Sequence, residues 1–172
     1  GWSWEDVLPY FKKSEDNQRG ENEFHGKGGP LSVEDMRVKM KVLDTFIDAA
    51  EEFGFPRQPD FNTGDNEGIG YFQVTQRNGL RCSAAVGYLN PIKNRKNLKI
   101  VTKSHVKNIE FNNKRAIAVN YWQNNELTKV KANAEIILSA GSIGSPHILQ
   151  ASGIGPGELL KNNNVHVIKD QP

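Results

Sequence analysis

Glu135-Ile136-Ile137-Leu138-Ser139-Ala140-Gly141-Ser142-Ile143-Gly144-Ser145-Pro146-His147-Ile148-Leu149 is the stretch that decides the fold class. Ile136 to Leu138 is a short apolar run of the kind carried by a strand covered on both faces, which predicts a buried central strand over Ile136 to Ser139. Ala140, Gly141 and Ser142 follow with almost no side chain, so another group can approach that backbone closely. Ser145 has N-cap chemistry and Pro146 suits the first helical position, which predicts a helix starting there. Strand, small-residue turn and helix N-terminus is how an α/β sheet presents backbone N–H groups and a positive dipole end to a ligand.

Upstream of that stretch the hydrophobic period is two. Leu98, Ile100 and Thr102 alternate; Val106, Ile109 and Phe111 follow, then Ile117, Val119 and Tyr121 alternate, and a further run lies over Leu127 to Ala132. Turn residues fall between the runs at Lys103-Ser104, Asn112-Asn113-Lys114 and Asn124-Asn125. This predicts an antiparallel meander of about three or four strands from Leu98 to Ala132. Downstream, Pro156 to Leu160 reads as a short helix and Val165 to Ile168 as a strand, with His166 alternating outward among valines.

The first half is read from its caps and breaks. Ser3 with Glu5 and Asp6 predicts a helix start, and Pro9 falls inside that helix. Lys13 to Asn22 reads as a charged surface loop. Leu31 to Val33 reads as a strand. Val42, Leu43, Phe46, Ile47, Ala49, Ala50 and Phe53 recur at helical spacing up to Gly54, which predicts an amphipathic helix with its apolar face in the core. Arg57 to Gly70 is a long Pro/Asp/Asn/Gly loop; the spacing of Asp60, Asp65 and Glu67 does not fit an EF-hand, and no metal site is expected. Ile69 to Gln76 reads as a strand, and Ser83 caps a helix ending before Pro91. Arg81 has the chemistry for a carboxylate or a phosphate. Cys82 reads as a small buried residue and His25 as a loop histidine supporting local structure.

Composition narrows the function classes. The 172 residues are 37% hydrophobic and 24% charged, with 22 basic against 20 acidic residues and a formal net charge of +2. Interspersed charge of that size points to neither nucleic acid nor a membrane surface, and no apolar run reaches spanning length. A lone cysteine leaves no internal disulfide and no cysteine-based metal cage.

Several of these stretches carry a family resemblance. Gly141-Ser142-x-x-Ser145-Pro146-x-Ile148-Leu149-x-x-Ser152-Gly153-Ile154-Gly155 resembles the second signature of the glucose–methanol–choline (GMC) flavoprotein oxidoreductases at every fixed position. His25-Gly26-x-Gly28-Gly29-Pro30-Leu31, Gly79-x-Arg81-x-Ser83 and Asn97-Leu98-x-Ile100-x-Thr102-x-x-x-Val106 resemble the same family in the same order. The opening segment from Gly1-Trp2-Ser3-Trp4-Glu5-Asp6 through Lys13-Ser14-Glu15-Asp16 resembles a helix common in the family, especially in its arthropod, glucose dehydrogenase-like members. The resemblance implies an α+β / α/β chain: an incomplete FAD-binding domain of Rossmann-like GMC type with an antiparallel β-meander, plus part of the substrate-side domain. It places residues 1–78 in the substrate-side domain and its connecting helices, and 79–172 in the FAD-binding domain.

It further implies FAD as cofactor and oxidation of the CH–OH group of an alcohol or sugar by hydride transfer to flavin, with quinone or oxygen as the final acceptor. Val106 is expected to meet the adenine end through its backbone, and Ala140, Gly141 and Ser142 to lie against the flavin. No catalytic residue is assigned: the family's catalytic histidine belongs near the C-terminal end of the complete protein. Both ends of the chain read as cuts through a longer protein, so the remainder of that protein is an expected partner. The compartment stays open, an extracellular one being compatible with the resemblance. The alternative is a non-catalytic GMC-like protein that keeps the fold for binding or structure.

A glycine fingerprint for the FAD pyrophosphate is not found in this stretch, and Gly64, Gly68 and Gly70 sit in an acidic loop. Residues 1–172 alone are therefore expected neither to retain FAD through gel filtration nor to reduce a dye with alcohols. A stoichiometric yellow species that reduces the dye would overturn this expectation.

Overall fold

The computed structural model describes residues 1–171 and divides into two compact units, the first running Gly1–Lys99 and the second beginning at Ile100. In the first unit, α1 (Trp4–Ser14) opens on a reciprocal capping box: Ser3 accepts from the Asp6 N–H while the Asp6 side chain accepts from the Ser3 N–H. Lys12 and Lys13 close its last turn, matching the helix dipole. Directly after it, β1 (Glu15–Asn17) pairs in parallel with β2 (Leu31–Val33). The surface loop expected over Lys13 to Asn22 is thus in part a strand, and Asn17 is only 1% exposed. A polar composition misleads here because the buried atoms of this segment are polar and partnered.

Gly26 and Gly29 of the His25-Gly26-x-Gly28-Gly29 turn have a packing reason, while Gly28 takes φ +79° with open space before it. A Cβ at Gly26 would stand 1.8 Å from the Lys12 carbonyl oxygen, and one at Gly29 would stand 2.4 Å from the Ser14 carbonyl carbon. The turn therefore lies directly on the end of α1, and only residues without a side chain can let it do so.

The helix expected from the Val42 to Phe53 pattern is α2 (Lys41–Glu52), with Gly54 at φ +109° after it. Only Ile47 of its apolar face is buried, while Val42, Phe46 and Phe53 are exposed. The face expected in the core has no covering element among the described residues. Polar contacts fasten α2 instead: Tyr71 donates to Asp44 at 2.8 Å, and Arg57 pairs with Asp48 at 2.6 Å and with Glu51 at 2.9 Å.

The strand expected over Ile69 to Gln76 is reduced to isolated bridges, Arg57 with Ile69 and Glu34 with Val74, and a two-residue hairpin of β3 (Gln76–Arg77) and β4 (Leu80–Arg81). Ser83 does cap the next helical segment, accepting from the Val86 N–H at 3.3 Å, but the five residues Ala85–Leu89 wind as a π-helix. Cys82 is buried as expected, 1% exposed.

The second unit is built on the expected meander: β5 (Ser104–Asn112), β6 (Arg115–Gln123) and β7 (Glu126–Lys131), a three-stranded antiparallel sheet in that spatial order. Leu98 to Thr102, expected to start it, forms no strand. Asn113, Asn124 and Asn125 take positive φ in the two hairpin turns, the conformation asparagine tolerates best after glycine. Lys129 of β7 donates to Glu110 of β5 across the strand between them, which, together with the Asn120 amide, holds the Glu110 carboxyl below its usual range.

The sheet leads by an extended segment into α3 (Gly141–Ala151), which packs on β5. Then β8 (Ile154–Gly155) pairs in parallel with β9 (Lys169–Asp170), around α4 (Gly157–Asn162). The strand expected over Val165 to Ile168 falls at Lys169–Asp170 instead, because the pairing positions are set by the buried Gly153-Ile154-Gly155 backbone: Ile168 and Lys169 both donate to Gly153 O.

Gly26→Ala is expected to lower the stability of the first unit by at least about 2 kcal/mol, since the clash is with backbone that cannot swing aside. Chemical denaturation followed by tryptophan fluorescence of Trp2 and Trp4 measures it; an unchanged midpoint would show that the turn does not press on α1.

Candidate functional site

Ile136 to Leu138 form no strand: the segment is extended, unpaired among the described residues, and Ile137 is 80% exposed. A strand needs ladder partners, and this segment pairs with neither open edge of the β5-β6-β7 sheet. The expected buried central strand is therefore corrected to an extended segment with open backbone edges.

The helix start is corrected as well. α3 begins at Gly141 with Ala140 at its N-cap, ahead of Ser145 and Pro146. Ser145 turns its hydroxyl back to accept from the Ala140 N–H at 3.0 Å, and Pro146 lies inside the helix. The N-cap makes no side-chain hydrogen bond, so the first-turn N–H groups of α3 are left without a capping side chain. Ala140, Gly141 and Ser142 are all exposed. Gly141 has φ +82°, and a Cβ built there meets nothing within 4 Å. The turn thus presents uncovered backbone with open space before it, the arrangement that accepts a large planar or anionic ligand.

Val106 lies on β5 opposite Tyr121, at a register shift between Val106 and Asn108. β5 is an outer strand of its sheet. Its far side from β6 therefore carries N–H and C=O groups with no ladder partner, as backbone recognition of a ligand edge requires. The fixed link between this strand and α3 is Ser152, the C-cap of α3, whose Oγ accepts from the Ile109 N–H at 2.8 Å and donates to the Ile148 carbonyl at 2.5 Å. So the four residues assigned from the sequence fall on two elements that pack together, Val106 on one and Ala140, Gly141 and Ser142 at the start of the other. Ser152 was legible only as a fixed signature position; a serine placed just after a helical pattern gives no sign of what its hydroxyl will meet.

The first unit holds a second polar centre. His25 is 5% exposed; its Nδ1 lies 3.0 Å from Glu15 Oε1 and Oε2, and its Nε2 lies 2.9 Å from Asp60 Oδ2 without hydrogen-bond alignment. Asn17 Nδ2 reaches Glu15, His25 and Gln73 at 3.0 to 3.1 Å, and its Oδ1 accepts from the Arg19 N–H at 2.9 Å. Arg19 in turn donates to the Pro59 carbonyl at 2.7 Å and pairs with Asp35. A cavity of about 520 Å³ beside this network is rimmed by Trp4, Leu8, Phe11, Phe24, His25 and Phe61. With a carboxylate at each ring nitrogen, His25 is committed to its neighbours, and its role as a supporting histidine, with Glu15 and Asp60 as partners, matches the sequence expectation.

Arg81, His147 and His166 are exposed, and no cluster able to hold a metal occurs among the described residues. No helix is long and apolar enough to cross a membrane.

A family model described as GMC oxidoreductase matches residues 1–168. The oxygen-dependent choline dehydrogenase of Pectobacterium atrosepticum is 40% identical over 173 residues, covering 99% of this chain and 31% of that protein. Among solved structures, pyridoxine 4-oxidase from Mesorbium loti superposes with a TM-score of 0.91 at 32% identity, over 99% of this chain and 34% of that one. An FAD-dependent oxidoreductase from Chaetomium thermophilum also gives a TM-score of 0.91 at 32% identity, over 100% of this chain and 32% of that one. The chain thus spans about a third of the length of the relatives it matches.

Asn17→Ala is expected to destabilise the first unit by about 2 kcal/mol, because it removes a buried amide that partners part-buried atoms of Glu15 and Gln73 and the Arg19 N–H. Urea denaturation measures this; a loss under half of that would show that the network is not structural.

Proposed function

The chain belongs to the GMC oxidoreductase family, and on that footing we propose that it contributes the adenine-side strand and the flavin-side turn of an FAD site in an enzyme oxidising the CH–OH group of a small alcohol or sugar. The observation that carries this reading is the turn at the start of α3: exposed, without a capping side chain, and with open space in front of Gly141. The family match over 1–168, and the relatives named as a choline dehydrogenase and an FAD-dependent oxidoreductase, support it.

Within that reading, 1–78 belong to the substrate-side domain and its connecting helices, and 79–172 to the FAD-binding domain. The backbone of Val106 receives the adenine end, and Ala140, Gly141 and Ser142 offer first-turn N–H groups and lateral space on the flavin side. The chemistry FAD supplies when bound is acceptance of a hydride from the alcohol carbon. The task of these residues is to hold and orient it by backbone. A small alcohol such as choline is favoured over a sugar by the relatives named as a choline dehydrogenase and a pyridoxine 4-oxidase; the glucose dehydrogenase-like subtype rests on the Gly1 to Asp16 segment. Oxygen is the acceptor favoured by the same relative's name, with quinone the other. The exposed apolar residues Ile137, Ile143, Val42 and Phe46 are the surface that the remainder of the longer protein covers.

Comparing Gly141→Ala with Gly141→Val tests the assignment. Both force a side chain into φ +82°, so backbone strain is shared, and only the valine adds bulk toward the ligand space. In the full-length protein, flavin absorbance per folded protein is expected to fall several-fold further in Gly141→Val than in Gly141→Ala. Equal occupancy in the two would remove Gly141 from the site.

A further inference from the structure

β5 is an outer strand, so the N–H groups on its open side lack ladder partners. At Ile109 that donor is buried with its residue, 6% exposed, and it is satisfied by one atom, Ser152 Oγ, at 2.8 Å. Ser152 is itself 6% exposed, and its hydroxyl is fully used, since it also donates to the Ile148 carbonyl. The Ser152 N–H bonds the Ile148 and Leu149 carbonyls, so the residue is fixed to the last turn of α3. Register shifts lie on both sides of Ile109, between Val106 and Asn108 and between Glu110 and Phe111. The strand is therefore free to slip or bend just there unless something outside the ladder holds it.

The consequence lies at the two ends of this joint. Val106 precedes Ile109 on the strand that the hydroxyl holds, and the turn of Ala140 to Ser142 lies at the far end of the helix it caps. An 11-residue helix is about 16 Å long, so a tilt of about 5° at its C-terminal anchor moves its first turn by more than about 1 Å. Backbone recognition tolerates little of that, because N–H and C=O groups cannot adjust as side chains do.

We propose that Ser152 is a positioning residue for FAD: its hydroxyl sets the separation between the adenine-side backbone at Val106 and the flavin-side turn at Ala140 to Ser142. This rests on the reading under Proposed function. A ligand that engages both ends at once loses affinity when their separation is wrong, whereas a ligand that engages one end does not. Loss of the buried hydrogen bond corresponds to about a tenfold effect on such two-ended binding.

The test uses the full-length protein stripped of cofactor, as wild type, Ser152→Ala and Ser152→Thr. FAD affinity is read by quenching of flavin fluorescence and ADP affinity by calorimetry, ADP carrying the adenine end alone. Ser152→Ala is expected to weaken FAD about tenfold while ADP stays within about twofold, and Ser152→Thr, which keeps the hydroxyl, to recover most of the FAD affinity. A parallel fall for FAD and ADP would overturn the proposal, since general loosening of the fold acts on both ligands. Unchanged FAD affinity in Ser152→Ala would overturn it as well. Wild-type protein that takes up no FAD would overturn the functional reading itself, and this proposal with it.

Discussion

A buried backbone or amide donor has to be partnered, and in this chain that requirement does more than apolar burial to hold the parts in place. Among the described residues the buried hydrophobic positions are Ile47, Cys82, Ile109, Ala118 and Leu160, while Phe46, Phe53, Ile137 and Ile143 are each more than 60% exposed. So little buried apolar surface cannot fix loops and short strands by contact alone. Each unit instead has a small polar joint. In the first, Asn17 and Arg19 tie β1 to Gln73, Asp35 and the loop at Pro59. In the second, Ser152 ties α3 to the open edge of β5.

Elements whose stability is local were legible in the sequence. The helix start at Ser3, the helix closed by Gly54 and the meander with asparagines in its turns were read from spacing and turn chemistry; the two helices stand where they were expected, and the meander begins at Ser104 instead of Leu98. Elements that depend on a distant partner were misread. Ile136 to Leu138 has the composition of a buried strand, but composition does not supply a neighbouring strand, and the described chain has none there. The apolar face of α2 was read as core for the same reason. Periodicity reports which face is apolar, not whether anything covers it. β1 failed in the opposite direction: Glu15-Asp16-Asn17 reads as solvated, yet Asn17 is among the most buried residues, because its amide is satisfied on every side.

The small-residue turn was legible in position and less so in construction. Ala140, Gly141 and Ser142 were marked by their smallness, and they do form an exposed turn at a helix start. The capping logic around them was inverted, however. Ser145 and Pro146 match N-cap and first-turn chemistry, but Gly141 at φ +82° lets the chain enter the helix earlier, and the Ser145 hydroxyl then folds back onto the Ala140 N–H. Local preference assigned the cap to the better capping residue, whereas the left-handed conformation open to glycine decided where the helix begins. Pro146 stands sixth of the eleven residues of α3, past the first turn, so it leaves one interior carbonyl of the helix without its i+4 donor.

The site's reliance on backbone also accounts for what the relatives have in common. Proteins named for choline, for pyridoxine and for FAD-dependent oxidation align over almost the whole of this chain at 32 to 40% identity. At that identity most side chains along the segment differ between this chain and the relatives. A segment that presents N–H and C=O groups to a shared cofactor is compatible with that variation. It must keep its small residues small, its edge strand open and its joint at Ser152 intact, and its remaining side chains can vary. On the proposed reading, that division explains why the most specific pattern in the sequence is made of glycine, serine and proline, residues with little chemistry of their own. On that reading the position of the backbone is what matters, and Ser152 joins the two elements that would carry the contacts.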